Sequence, residues 1–197
     1  MTTALAVLAL LGVAVAVIAL VALHVVPSGL SPLRDPVSAY GISRWRALYR
    51  TQTVATAVAA VSLAGALLTA GIPSTLPALI ALAALALTRA PISWVPMDAA
   101  DAPRTATGRR HNLLAFGAFA AASVGGFMTG IAFSAAGFDG AANASTVLGW
   151  VMTVASAVTI LASVVRPLKP IFGLAERVIY LGMFAWLVLS SVALLAR

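Results

Sequence analysis

An all-α polytopic membrane protein, a bundle of six transmembrane helices, is the architecture this sequence predicts, and three observations carry the prediction. Hydrophobic residues make up 62% of the 197-residue chain and charged residues only 9%, a balance that water cannot solvate as one globule. Six apolar runs, each near the roughly 20 residues that a bilayer requires, alternate with polar segments. The charges are also placed unevenly. Eleven of the twelve Lys and Arg residues follow the first, third and fifth runs or sit at their ends.

The first span covers residues 3–26, with Thr2 or Thr3 available as N-cap and no Lys, Arg, Asp or Glu before Arg34. A cleaved signal peptide would want a positive n-region and a shorter apolar core, so this run is expected to persist as a helix. Residues 27–50 form a polar loop, because Pro27, Pro32 and Pro36 stop a helix and Asp35 to Gly41 offers turn chemistry. The second span takes residues 51–70. Gly71-Ile72-Pro73-Ser74-Thr75 permits only a tight hairpin before the third span, residues 76–94. A polar island from Trp94 to His111 then holds two of the five acids and one of the two histidines. The fourth span is 111–133, where Gly126 and Gly130, four apart on one helix face, predict close packing against a neighbour. A small loop containing Asp139 leads to the fifth span, 146–165, and a basic loop over 166–177 leads to the sixth, 178–196. The spans fit a single domain over residues 1–197.

The positive-inside rule orients this bundle in a cell membrane with the three basic loops cytoplasmic and both termini outside. A weak internal repeat accompanies them: Pro36-Val37-Ser38-Ala39-Tyr40-Gly41 resembles Pro103-Arg104-Thr105-Ala106-Thr107-Gly108 at an offset of 67 residues, the distance expected of repeated helical hairpins. The absence of cysteine excludes disulfides, thiolate nucleophiles and Cys-ligated clusters. The arginines adjoin apolar spans, where they face lipid phosphates and not nucleic acid.

Four blocks carry a family resemblance. They are Leu30-Ser31-Pro32-Leu33-Arg34-Asp35-Pro36-Val37-Ser38-Ala39-Tyr40-Gly41, Trp94-Val95-Pro96-Met97-Asp98, Thr107-Gly108-Arg109-Arg110-His111 and Gly173-Leu174-Ala175-Glu176-Arg177. In this order they resemble the successive signatures of the bacterial and archaeal membrane family called domain of unknown function 998. The resemblance implies a six-helix membrane protein and no established activity. Similar sequences carry positive residues at the N-terminus and in the short second loop, which implies the reverse orientation, and this chain does not.

Chemistry is sought where polar residues return to one face. An even number of spans separates the odd-numbered loops, so Asp35, Asp98, His111 and Glu176 are expected to converge as the candidate catalytic residues, with Arg partners for Asp98 and Glu176. His24, His111 and Asp98, joined by Asp35 and Glu176, would suit zinc and a metal-activated water, but no HExxH spacing is present and no cofactor is assigned. His24 and His111 as axial haem ligands compete with the simpler reading of interface histidines bonded to loop carbonyls. Arg89 is the costliest charge, about five residues inside Trp94, and a guanidinium between helices requires an acid, for which Asp35, Asp98 and Glu176 are candidates. A guanidinium fork also fits a phosphate or carboxylate headgroup, so Arg89, Arg44, Tyr40, Arg109 and Arg177 are the candidate ligand-binding residues. Tyr40, Trp45, Tyr49 and Trp94 read as an interfacial aromatic belt, with Trp186 deeper.

Three function classes follow. Noncatalytic binding of lipid headgroups or a partner through a cytoplasmic-face polar cluster comes first. A membrane-embedded, metal-dependent hydrolase or transferase acting on a lipid is second. A small-solute transporter is third, because spans two, four, five and six lack ionisable residues in their middles. Membrane lipids are the expected partners, with homo-oligomerisation left open.

Overall fold

Each apolar run becomes a helix in the computed structural model, which describes residues 1–99 and 101–197: α1 (Thr2–Val25), α2 (Arg46–Ala70), α3 (Leu76–Arg89), α4 (Ala106–Ala135), α5 (Asp139–Val164) and α6 (Phe172–Leu195). Ala100, inside the central loop expected over 96–110, lies outside the described residues. Short 3-10 turns over Val37–Ile42, Ile92–Trp94 and Arg166–Ile171 shape the segments after α1, α3 and α5. Among the described residues there is no strand. Six helices, the third counted through Trp94 and the sixth from Arg166, are long and apolar enough to cross a membrane. A helix suits hydrocarbon because it satisfies its own backbone hydrogen bonds.

The helices overrun the apolar runs at their polar ends, because caps and not hydropathy decide where a helix begins. α4 starts at Ala106 instead of residue 111: Thr105 is its N-cap, and the Thr105 hydroxyl accepts from the Gly108 amide at 3.0 Å. α5 starts at Asp139 instead of residue 146, placing that carboxylate in the first turn against the positive end of the helix dipole. α2 and α6 likewise begin early, at Arg46 and Phe172. α3 ends early, at Arg89, where Pro91 withdraws the amide that a further turn would need. Gly71 closes α2 with a left-handed φ of 63°, which turns the chain sharply into α3. The two halves of the sequence repeat fold differently: Val37–Ile42 is a 3-10 turn, whereas Thr105 to Gly108 enters α4.

Each helix packs on its neighbours in the chain, and α6 also touches α1, α2 and α4. Trp186 of α6 is fully buried, in space that Gly125 of α4 leaves by lacking a side chain. The expected close packing at Gly126 and Gly130 is realised between α4 and α5. A Cβ on Gly126 would run into Gly149, one on Gly130 would run into Thr146, and Ser145 Oγ donates to Gly126 O at 2.7 Å. In lipid such contacts stabilise through van der Waals packing and interhelical hydrogen bonds. Large side chains such as Ile18, Leu87 and Leu113 point outward, the arrangement of a bundle whose surface is solvated by lipid tails.

Candidate functional site

At the loop-bearing end, the second turn of α2 and the third turn of α6 meet the last turn of α3, and the buried polar groups gather there. The termination of α3 before Pro91 puts Arg89 in its last turn, where the negative end of the helix dipole favours a cation. Its side chain is 1% exposed, so it does not snorkel to water. Arg89 Nη2 donates to Gln52 Oε1 at 2.6 Å and Nη1 donates to Tyr180 Oη at 3.1 Å, with the guanidinium 5.1 Å from the Tyr180 ring centroid. Gln52 is itself fixed, its Nε2 donating to Thr56 Oγ1 at 3.2 Å. The expectation that Arg89 would be ion-paired with Asp35, Asp98 or Glu176 is therefore corrected: its hydrogen-bond partners are Gln52 and Tyr180. An amide and a phenol accept from the two Nη groups, Nε is buried without a hydrogen-bond partner, and the Tyr180 face adds a cation–π attraction.

A second group ties α6 to the first loop. Glu176, buried, accepts the Val37 amide on Oε2 at 2.6 Å. Its neighbour Arg177 donates from Nη1 to the carbonyls of Asp35 and Gly173, both at 2.9 Å, and from Nε to His24 Nε2 at 2.6 Å. His24 Nδ1 lies 2.6 Å from Leu20 O, so the ring is the neutral tautomer, protonated on Nδ1 and accepting on Nε2. The Asp35 carboxylate turns back on its own loop and accepts the Ser31 amide at 2.6 Å. Gly173 is a glycine for a steric reason: a Cβ there would overlap the carbonyl oxygens of Asp35 and Pro32.

A third group organises the central loop. Asp98 accepts from Thr105 Oγ1 at 2.6 Å and from the Thr105 amide at 3.0 Å, while Gly108 leaves the space its carboxylate occupies above the first turn of α4. The Thr105 hydroxyl, then the Thr105 amide, hold the Asp98 carboxyl below the usual carboxylate range, with Arg104 and Arg109 adding to the same effect. His111, 2% exposed, places Nδ1 2.6 Å from Val95 O, and its Nε2 is buried without a hydrogen-bond partner.

The predicted residues thus share one end of the bundle but fall into separate networks. Asp35, Glu176, Arg177 and His24 join the first loop to α6, Asp98 and His111 order the central loop, and Arg89 links α2, α3 and α6. The Arg partners expected for Asp98 and Glu176 are replaced in the hydrogen-bond network by Thr105 and Val37, because backbone amides near helix starts are the nearest unsatisfied donors. Arg44 and Arg109 stay exposed. Arg44 donates to Pro27 O at 3.2 Å and lies 4.8 Å over the Trp45 ring. The aromatic belt is also revised: Tyr40 and Tyr49 are buried core residues, and Trp94 keeps an exposed face with Arg50 4.4 Å over its ring. Among the described residues, no three of His, Asp and Glu are grouped so as to hold a metal ion. The Nε2 of His24, which a haem or zinc would need, accepts from Arg177.

Sequence reasoning missed Gln52, Tyr180 and Thr105. Their signals were present. Gln52 is an amide in a largely apolar helix, four residues before Thr56, and Tyr180 follows Glu176 by four on one face of α6.

The fold and this site define a class, the polytopic helical membrane proteins, here with a buried Arg-Gln-Tyr cluster beneath the loops of one end. A family model described as "Protein of unknown function (DUF998)" matches residues 10–193, and the chain belongs to that family. The four blocks between Leu30 and Arg177 all lie within the match. No curated protein and no solved structure matches the chain.

Proposed function

We propose that the protein is a noncatalytic membrane protein that binds anionic lipid headgroups on the arginine rim of its loop-bearing end, and that this end faces the cytoplasm. One observation carries the reading. Of the eleven cations at that end, Arg89 and Arg177 are turned into the protein and hydrogen-bonded there, while the other nine, Arg44 and Arg109 among them, are exposed. Of the four acids at that end, Asp35, Asp98 and Glu176 accept backbone amides of their own surroundings, which leaves Asp101 exposed against nine exposed cations. Exposed guanidinium forks beside apolar spans match lipid phosphates in charge and geometry, at about 1 kcal/mol for each basic residue near an anionic surface. The opposite end offers Arg197, which donates to the carbonyl of Ala70. A lipid-directed hydrolase or transferase is the second reading. It rests on His111 Nε2, which has no hydrogen-bond partner, but that atom is enclosed and Asp98 is engaged by Thr105.

Retention of phosphatidylglycerol against phosphatidylcholine of the same acyl chains, measured by native mass spectrometry of the purified protein, tests the headgroup reading. Phosphatidylglycerol should be retained in preference, less so after washing in high salt, and less by an R44Q/R109Q/R110Q variant. Equal retention of both lipids at every salt concentration overturns it. For orientation, single cysteines at Ser31, Ala102 and Asn143 in this cysteine-free chain are probed in intact cells with an impermeant thiol reagent. Only Asn143 should label before permeabilisation, and early labelling at Ala102 reverses the assignment.

A further inference from the structure

Outside the polar cluster, a groove of about 570 Å³ runs along the lipid-facing surface between α5 and α6, and its lining is wholly apolar. Its origin is a change in residue size along the helix pair. The two helices are tightly packed where Gly182 meets Met152, and toward the loop-bearing end the floor is formed by the small residues Ala155 and Ala175. Trp150 and Val154 rise on one side and Leu174 and Val178 on the other.

Three features identify what such a groove holds. The first is length. Its α5 wall runs from Val147 to Val158, roughly 16 Å at the helical rise and centred on the middle of the helix, and the wall on the α6 side continues to Ile171 at the loop side, so the groove is long enough for a chain that spans one leaflet of a hydrocarbon core about 30 Å thick. The second is Trp150. It lies eleven residues into α5, near the middle of the span and away from the interface where tryptophans usually anchor, and its ring is braced edge-on by Phe127 at 5.2 Å. The third is charge. The loop-side end of the groove is Ile171, the last residue of the 3-10 turn Arg166–Ile171, whose Arg166 and Lys169 are exposed and whose Pro167 and Pro170 stiffen the backbone. The nearest acid in sequence, Glu176, is buried and engaged by Val37, Asp35 of the first loop, whose backbone meets Gly173, has its carboxylate engaged by the Ser31 amide, and Asp139 is at the other end of α5.

We infer that the α5–α6 groove is a binding site for one anionic glycerophospholipid of the leaflet at the loop-bearing end, with an acyl chain along the groove and the phosphate on Arg166 and Lys169. The inference rests on the reading that this end binds anionic headgroups, and it adds a defined site with a tail-recognition element. An apolar slot of this length accepts the chain of any phospholipid, while two exposed cations select the one that carries net negative charge.

Native mass spectrometry of the detergent-purified full chain, with phosphatidylglycerol and phosphatidylcholine added separately, tests it with three variants. V154W fills the groove from its lipid side, R166Q/K169Q removes the cations, and R44Q/R109Q/R110Q alters the rim elsewhere. Unchanged helical circular dichroism and chromatographic behaviour establish that each variant folds. The expected result is one tightly retained phosphatidylglycerol per chain, with its affinity reduced roughly tenfold by V154W and by R166Q/K169Q, whereas R44Q/R109Q/R110Q lowers only the additional, salt-sensitive phosphatidylglycerol held elsewhere on the rim. Retention of phosphatidylglycerol that neither V154W nor R166Q/K169Q weakens overturns the groove site and leaves the rim reading standing. Equal retention of both lipids by the parent overturns the headgroup reading and this site together. Conversion of a dimeric parent to monomers by V154W, with lipid retention unchanged, assigns the groove to a second copy of the chain and also overturns the inference.

Discussion

Arg89 and Arg44 lie at the same end of the bundle and have opposite surroundings. Arg89 is enclosed by α2, α3 and α6 and is held by Gln52 and Tyr180, whereas Arg44 is exposed, resting on the Trp45 ring and the Pro27 carbonyl. The chemistry of the two side chains is identical. In the interior every donor depends on the protein, so Arg89 is committed to joining three helices. At the rim water serves instead, so Arg44 needs no buried partner. Burial thus divides the cations of one face into those that hold the loops in place and those left exposed at the rim.

The largest expected effect is at the buried member of this comparison. Arg89→Ala removes two charge-assisted hydrogen bonds and opens a cavity, and it should cost about 3 kcal/mol or more, read as thermal unfolding in detergent. Arg89→Met, which restores volume without charge, should recover part of that loss. An Arg89→Ala protein as stable as the parent would remove the distinction between the two arginines. Next is Glu176→Ala, expected to cost about 2 kcal/mol by leaving the buried Val37 amide without an acceptor, while Glu176→Gln keeps an acceptor and should lose under about 1 kcal/mol. Equal losses in the two variants would mean that charge, and not the Val37 bond, is what α6 contributes.

Asp98 sharpens the contrast through pH. Its carboxyl is held below the ordinary range by Thr105, so its folded-state pKa lies under the unfolded value of about 3.9. The stabilisation is complete above that unfolded value and is lost as pH falls through the depressed one. The stability difference between parent and Asp98→Asn should therefore be constant near neutral pH and shrink below about pH 4. A difference that grows on acidification contradicts the Thr105 pairing. The smallest effect is expected for Arg44→Gln, whose stability should stay within about 0.5 kcal/mol of the parent, because its charge is already solvated. A large loss there would place Arg44 with Arg89 among the structural cations.

Much of the frame is local and therefore readable in one dimension. A run of apolar residues about as long as a bilayer is thick becomes a helix wherever it sits, Pro91 stops α3 beside Arg89, Gly126 and Gly130 permit a close neighbour, and counting spans puts the basic loops at one end. The same reasoning started α4 and α5 too late in the chain, since Thr105 and Asp139 favour earlier starts through hydrogen bonds and dipoles that hydropathy does not register. Which groups meet across the bundle was decided only by the tertiary structure. Arg89 had three acids on its face and hydrogen-bonds Gln52 and Tyr180. Tyr40 and Tyr49 had the composition of an interfacial belt and lie in the core. Such outcomes depend on how far each helix is rotated about its own axis and on which helix it touches. Those quantities are set by the summed packing of small residues along α1 to α6, and no single segment of the chain contains them.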